Sequence, residues 1–329
     1  MEWERVPEPV KYCCRVLWAA REEACPVGGC VRDSLLGRTP GDWDIATSAR
    51  PETIQTLFSH TVPTGLRHGT VTVLLGGMSL EVTAFRREEG YADGRRPDRV
   101  VFGVGLTEDL ARRDFTINAM ALLPDGGVAD PFGGQADLAA RLVRCVGDPD
   151  KRFQEDALRM LRAVRFAAQL GFSIEEETAG AIRRESAGLE RVSGERVRAE
   201  LEKTLLSPQP ELCALPVELG MLARFGVPAR RLDLTGLAAL PATPEERWRG
   251  FCQRTGLDIT ALPVERRLRR AVMAERAPVP ALTGGELYAM GFRGAAIREA
   301  LDVLKAHISK YPEDNKKEIL QKVLKKEGL

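Results

Sequence analysis

The sequence predicts an α+β protein: a mixed N-terminal region of strands and helices, followed by a remainder that is helical. Two observations carry this. Residues 1–140 show short apolar runs punctuated by glycine, whereas from about Asp150 onward the apolar residues recur at helical spacing. The length of 329 residues is enough for two or three domains and a sizeable core.

In the first region, VTVLLGG (71–77) and SLEVTAF (79–85) have strand content, and Gly76-Gly77 between them marks a hairpin turn. DIATSARPETIQTLF (44–58) reads as a strand end, a loop and a helix opening near Pro51. In the second region, FQEDALRMLRAVRFAAQLGF (153–172) is strongly helix-forming. It places Leu158, Leu161 and Ala168 on one side and ends at Gly171. IEEETAGAIRRESAGL (174–189) and GERVRAELEKTLL (194–206) continue the pattern, with Ser193 as the expected cap of the latter. Residues 205–290 are helical stretches broken by Pro and Gly, without legible chemistry. DNKKEILQKVLKKEGL (314–329) is a Lys-rich helix candidate.

Composition narrows the function classes. Hydrophobic residues make up 44% and charged residues 29%, as in ordinary soluble globular proteins. Lys+Arg total 48 against 47 Asp+Glu, so the net charge of +1 does not advertise nucleic-acid binding, although a local basic groove is compatible with it. The opening MEWERVPEPV lacks the apolar core of a signal peptide. No apolar run approaches the roughly 18 residues that span a bilayer. Seven cysteines without a CxxC pair read as thiols in a reducing cytoplasm, so a cytoplasmic location and no membrane partner are expected. Three histidines, His60, His68 and His307, exclude a His-rich metal site.

The sharpest feature is GGCVRDSLLGRTPGDWDIAT, residues 28–47. Asp42 and Asp44 are one residue apart, and in a strand such positions share a face, so both carboxylates can grip one hard cation such as Mg²⁺. Glu81, in the strand-like LEVTAF, can supply a third carboxylate from a neighbouring strand. Upstream, Gly28 and Gly29 let backbone N–H groups approach a polyphosphate, and Arg32 can neutralise phosphate oxygens. Alone, a DxD is a turn or a cap and a GG is a turn; their ordered combination is far more specific.

With these motifs the sequence resembles the nucleotidyltransferase superfamily that includes DNA polymerase β. More narrowly, it resembles bacterial class II tRNA nucleotidyltransferases (CCA-adding enzymes) and the related bacterial poly(A) polymerases. The resemblance covers roughly residues 20–205. GGCVRDSLLG and DWDIAT match the catalytic motif, RRDFTINAMA (112–121) the ribose-selecting motif, EDALRMLRAVRFAAQLGF (155–172) the base-selecting helix, and ERVRAELEKTLL (195–206) the helical motif that follows. It implies a nucleotidyltransferase head over 1–145, a helical neck for base recognition over 146–210, and a tRNA-binding body and tail over 211–329. The long phosphohydrolase extension of some relatives is not expected here, because three scattered histidines could not build it. REEGYADGRRPDRVVF (87–102) resembles the family's flexible loop, which is needed for the final A and shortened in relatives that add only CC.

The resemblance also gives roles to further residues. Asp156, Arg159 and Arg162 are spaced by three, so on a helix they share a face, with Arg165 next. An Asp accepts and an Arg donates. Cytosine shows an N4 amino donor beside an N3 acceptor, and adenine an N6 amino donor beside an N1 acceptor, so one Asp–Arg pair complements either. Uracil and guanine present the reverse, each mismatched contact being worth ~1–3 kcal/mol. The competing reading is an exposed amphipathic helix with charge pairing. Arg113 is expected to bind triphosphate, and Asp114 with Asn118 to reach the ribose 2′-OH; the competing reading is capping of an ordinary helix. The expected reaction is attack of a tRNA 3′-hydroxyl on the α-phosphate of CTP or ATP, with Asp42, Asp44 and Glu81 holding Mg²⁺. An A-adding enzyme or a poly(A) polymerase shares these motifs. An inactive RNA-binding scaffold is the alternative of another class, and the intact acidic trio argues against it.

Overall fold

The apolar runs of the first region pair into one seven-stranded sheet, because each is too short to bury itself alone. The computed structural model describes residues 3–91, 98–274 and 280–327. In chain order the first elements are α1 (Glu8–Ala19), β1 (Ala24–Val27), α2 (Gly29–Leu35), β2 (Asp44–Thr47), α3 (Pro51–Leu57), β3 (Thr61–Gly65), β4 (Thr70–Leu75) and β5 (Met78–Ala84). Then come β6 (Arg86–Glu89), β7 (Arg99–Phe102), α4 (Leu106–Ala111), β8 (Ala121–Leu122), β9 (Val128–Ala129) and α5 (Gly134–Ala140). The sheet order is β3-β4-β5-β2-β1-β8-β9.

The expected hairpin forms at Gly76 and Gly77, whose φ of 56° and 78° are what a two-residue primed turn requires, with Leu75 paired to Met78. The expected helix start at Pro51 also forms, at the first turn of α3, where proline's missing N–H costs nothing. One face of the sheet, with Ile45, Val71, Leu80 and Val82, packs on Val10, Leu17 and Ile54 of α1 and α3. The other face carries a smaller cluster around Val27, Ala46, Phe85, Leu110 and Ala121. Alternation puts Asp44 on this less covered face together with Ala46.

The second region contains α6 (Pro149–Glu155), α7 (Leu158–Leu170), α8 (Glu176–Glu185), α9 (Gly194–Leu205), α10 (Ala214–Glu218), α11 (Pro244–Thr255) and α12 (Arg266–Met273). α7 packs against α9, and α6 against α8. α7 is buried nearly all round, leaving only Arg162 and Gln169 half-exposed, so it is a central pillar and not the one-sided helix its apolar spacing suggests. Gly171 closes it in the left-handed conformation (φ 70°), as expected. Ser193 stands at the N-cap of α9, but its side chain makes no capping hydrogen bond.

The chain divides into two compact units, Met1–Val272 and Met273–Leu329. The second has its own core of Leu282, Leu287, Ala300, Leu304, Ile308, Leu320 and Leu324, contributed by α13 (Gly284–Ala289), α14 (Ala295–Lys310) and α15 (Lys317–Lys326). α15 is the Lys-rich helix read in the sequence. Among the described residues, no helix is long and apolar enough to cross a membrane.

Candidate active site

Strand register builds the site. Val27 of β1 pairs with Ala121 of β8 on one side and with Asp44 of β2 on the other, and Asp44 pairs with Glu81 of parallel β5. This single cross-strand row brings together the glycine turn after β1, the acidic strand β2 and the segment leading into β8. Asp42 lies two residues before β2, outside the regular strand, so the two aspartates share the mouth of the sheet without both belonging to the strand.

A cleft of about 760 Å³ opens there. Gly28, Gly29, Arg32, Asp42, Asp44, Arg113, Asp114, Asn118, Asp156, Arg159, Arg162 and Arg165 all line it. Glu81 is the one expected residue that does not; it sits beside Asp44 in register and is exposed. Gly28 has φ 78°, which strains any L side chain, and a Cβ there would also displace the tip of Arg113, whose Nη1 lies 2.7 Å from that position.

The acidic side is unpaired. Asp42, Asp44 and Glu81 make no side-chain hydrogen bond or ion pair among the described residues. The Asp44 carboxyl is pushed up by burial and then by the charge of Glu81; Arg113 opposes this and Asp42 adds to it. No group of three His, Cys, Asp or Glu among the described residues is assembled to hold a metal ion. Of the trio expected from the sequence, Asp44 and Glu81 are thus aligned by register and Asp42 lies two residues before β2, and the three are not drawn into one ligand set. Hard oxygen donors without a cationic side-chain partner are nonetheless chemically suited to a divalent cation.

The opposite side is paired. Arg32 donates to both carboxylate oxygens of Asp33 (2.8 and 3.0 Å) and to Asn118 Oδ1 (2.6 Å). Asn118 Nδ2 in turn donates to Asp114 Oδ1 (3.1 Å), and Arg162 grips Asp114 Oδ2 through Nε and Nη2 (2.8 and 2.6 Å). Burial alone would raise the Asp114 carboxyl, but the Arg162 charge and these hydrogen bonds outweigh it and hold it at about 2. Asp114 also accepts from the Phe115 amide (2.8 Å), the local turn role its position allowed. Arg32, Arg162 and Arg165 surround the Phe166 ring, their guanidinium carbons 5.2, 5.5 and 4.0 Å from its centroid.

The base-reading face needs correction. Asp156 is not on the helix with Arg159, Arg162 and Arg165. The chain breaks between α6 and α7, and Asp156 sits in the break with extended geometry (φ −148°, ψ 102°), capping the Leu158 amide at 3.1 Å. Nor do Asp156 and Arg159 pair with each other. Asp156 is held by Arg196 of α9 (2.7 Å), and Arg159 by Glu155 (2.6 Å) and the carbonyl oxygens of Arg152 and Arg112 (3.2 and 3.3 Å).

The segment 87–102 also differs from a plain loop. β6 and β7 pair antiparallel from Arg86↔Phe102 to Glu89↔Arg99, while residues 92–97 of the expected flexible loop lie outside the described residues. Glu88, on β6, lines the cleft, paired with Arg86 (2.8 Å) and Arg112 (3.5 Å), and the Tyr91 hydroxyl donates to it at 2.6 Å. The buried Asp109 carboxylate ties Arg112 (2.9 Å) and Arg113 (3.4 Å) to the Arg86 amide at the start of β6 (3.3 Å). Glu88, Tyr91, Phe166 and Arg196 were not singled out as site residues from the sequence. Each nonetheless lies in a segment that carries the resemblance: Glu88 and Tyr91 in REEGYADGRRPDRVVF, Phe166 in EDALRMLRAVRFAAQLGF and Arg196 in ERVRAELEKTLL.

Residues 25–144 match the model of the poly A polymerase head domain, and residues 171–225 that described as "Probable RNA and SrmB- binding site of polymerase A". The chain is 52% identical over 203 residues to the CCA-adding enzyme of Limosilactobacillus reuteri (strain DSM 20016), which is 62% of this chain and 50% of that protein. It is 47% identical over 234 residues to the CCA-adding enzyme of Anoxybacillus flavithermus (strain DSM 21510 / WK1), 70% and 59% of the two chains. The chain thus spans about half the length of the curated relatives it matches. Among solved structures, it resembles the Bacillus stearothermophilus CCA-adding enzyme in complex with CTP, with a TM-score of 0.67, 30% identity and 98% of each chain covered. A tRNA nucleotidyltransferase complexed with a primer tRNA and an incoming ATP analog matches with a TM-score of 0.55 and 28% identity, over 64% of this chain and 61% of that one.

Proposed function

The chain belongs to the family of CCA-adding enzymes and poly(A) polymerases, and from that premise we propose that it adds C, C and A, from CTP and ATP, to the 3′ end of tRNA in the cytoplasm, without a nucleic-acid template. The observation that carries the reading is the cleft: unpaired carboxylates on the sheet side face, across one opening, an Asp and an Arg of opposite hydrogen-bond polarity on the helical side. The named relatives and the CTP-bound neighbour support the choice of substrates.

In this reading the RNA 3′-oxygen attacks the α-phosphate in line, the bond to the β-phosphate breaks, and pyrophosphate leaves with the hydroxyl proton lost to solvent. Arg32 and Arg113 flank the glycine turn and neutralise the triphosphate. Asp114, held ionised by Arg162, accepts from the ribose 2′-OH, with Asn118 fixed beside it. Asp156 accepts from the exocyclic amine of C or A. Arg159 spends both Nη1 protons on Glu155 and the Arg152 carbonyl, and keeps Nε and one Nη2 proton for the ring nitrogen. Family members generally use divalent metals, and we assign Mg²⁺ to Asp42, Asp44 and Glu81, where it would acidify the attacking hydroxyl and neutralise the leaving pyrophosphate. Residues 1–145 serve as the catalytic head, 146–210 as the base-reading neck, and 211–329 as the tRNA-binding body and tail.

The test is incubation of the chain with tRNA ending at the discriminator base, with CTP and ATP separately and together. CC with CTP alone and CCA with both is the expected result. A long A tail with ATP alone would reassign it as a poly(A) polymerase, and addition only to tRNA already ending in CC as an A-adding enzyme. No incorporation in Mg²⁺ would refute the reading.

A further inference from the structure

Asp156 stands in the break between two helices, where the local backbone fixes its side chain by one contact and the rest come from another helix. Oδ1 accepts from the Leu158 amide (3.1 Å) and from Arg196 Nη1 (3.3 Å), and Oδ2 accepts from Arg196 Nη2 (2.7 Å). Arg196 belongs to the first turn of α9, forty residues along the chain. Because α9 packs along α7, this guanidinium is set by the helix pair and not by the break it holds. It also lines the cleft.

A carboxylate has about four acceptor sites. Arg196 and the Leu158 amide occupy three of them, so the open one is on Oδ2. A planar fork gripping both oxygens also fixes the plane of the carboxylate, which a point charge would not do. Asp156 therefore offers one acceptor in one direction. That suits a single exocyclic amino group, and it sets a negative charge that cannot turn aside against the carbonyl of uracil or guanine.

We propose that Arg196 is a specificity-determining positioning residue, whose bidentate grip on Asp156 aims the one open acceptor site at the amino group of cytosine or adenine. The inference rests on the reading of Asp156 as a base reader. Arg196 touches no reacting atom; it acts through Asp156. A merely structural tie between α9 and the α6–α7 break would behave differently. Its loss would lower stability and slow all four nucleotides alike, with their ratios preserved.

The experiment compares the full chain with Arg196→Met and Arg196→Lys. It measures kcat and KM for single additions of CTP and UTP to tRNA ending at the discriminator base, and of ATP and GTP to tRNA ending in CC, alongside melting temperatures. Arg196→Met should lower the C-over-U and A-over-G preferences by roughly tenfold or more, the size of one misaligned base contact. Arg196→Lys keeps the charge but loses the fork, and should fall between it and the wild type. A proportional loss on all four triphosphates with unchanged preferences overturns the proposal. If the Met variant does not fold, the Lys variant decides: an unchanged preference in a folded Lys variant is equally fatal. Asp156→Asn, run in parallel, separates the two claims. If it leaves the preference intact, Asp156 does not read the base and both readings fall. If it collapses the preference while the Arg196 variants do not, only the role of Arg196 falls.

Discussion

On the sheet side of the cleft, Asp42, Asp44 and Glu81 have no side-chain partner among the described residues, whereas on the helical side Asp114, Asp156, Arg159 and Arg162 are each held by a charge of opposite sign. The sheet side stays repulsive until a cation arrives. The helical side has had its desolvation offset within the protein, so its hydrogen-bond directions are set before any nucleotide binds. Substitutions on the first side should remove chemistry and leave stability, and those on the second should cost both.

The largest effect tests the first half of this contrast. Asp42→Ala or Asp44→Ala should reduce incorporation by at least ~10³-fold. The melting temperature should hold or rise, because removing one of three mutually repelling carboxylates relieves strain. Substantial turnover in Mg²⁺ with both removed would sink the metal assignment, and a marked fall in melting temperature would break the contrast.

A smaller effect is expected where polarity is reversed on the paired side. Asp156→Arg with Arg159→Asp should lose CTP and ATP and gain some UTP and GTP, while each single change harms all four nucleotides. The pairing adds a penalty. The new Arg at 156 meets Arg196, and the new Asp at 159 meets Glu155, so the gain should be well below the loss and the double variant less stable. Continued preference for CTP and ATP would show that selection lies elsewhere.

The β6–β7 hairpin joins the two sides, since Glu88 pairs with Arg112, whose carbonyl accepts from Arg159. Replacing residues 92–97 with a shorter linker should leave CC addition near the wild-type rate and stall the final A. Completion of CCA at the original rate would reduce the segment to a surface connection.

What the sequence made legible follows the same division. Gly76-Gly77, Pro51 and Gly171 announce their turns and ends because the backbone conformation they need is local. The GG-x-x-RD and D-x-D spacing announced the acidic side because strand geometry is local too. The break at Asp156 carries no Pro or Gly, and EDALRMLR reads as continuous helix. Its causes are the Asp156 side chain capping Leu158, a local signal that an Asp inside a helix-forming run leaves ambiguous, and an arginine forty residues away, which no window of one helix contains. The hairpin was hidden in the same way: its strands are charged, and Glu88 is paired by Arg112 of another element. Two of the helical side's ion pairs, Asp114–Arg162 and Asp156–Arg196, are long-range, so single residues were legible there and those partners were not.

The smallest prediction concerns acid. Asp114 titrates near 2 in the folded chain against an ordinary 3.8, because Arg162 and Asn118 favour the ionised form more than burial opposes it. A carboxyl depressed in the folded state contributes stability that is present above its unfolded value and lost as pH falls through the folded one. The window is therefore pH 3.8 down to 2, and the contribution is on the order of 2 kcal/mol. Asp114→Asn keeps the shape and gives up the charge, leaving Arg162, among the described residues, the more distant Glu200 at 3.9 Å as its ion-pair partner. Denaturant unfolding of wild type and variant should differ most at neutral pH and converge by about that amount toward pH 2. If the gap stays constant across the window, Asp114 is not held ionised by its neighbours. The helical side would then be no better compensated than the sheet side, and the contrast between them would fail at a buried carboxylate on which it rests.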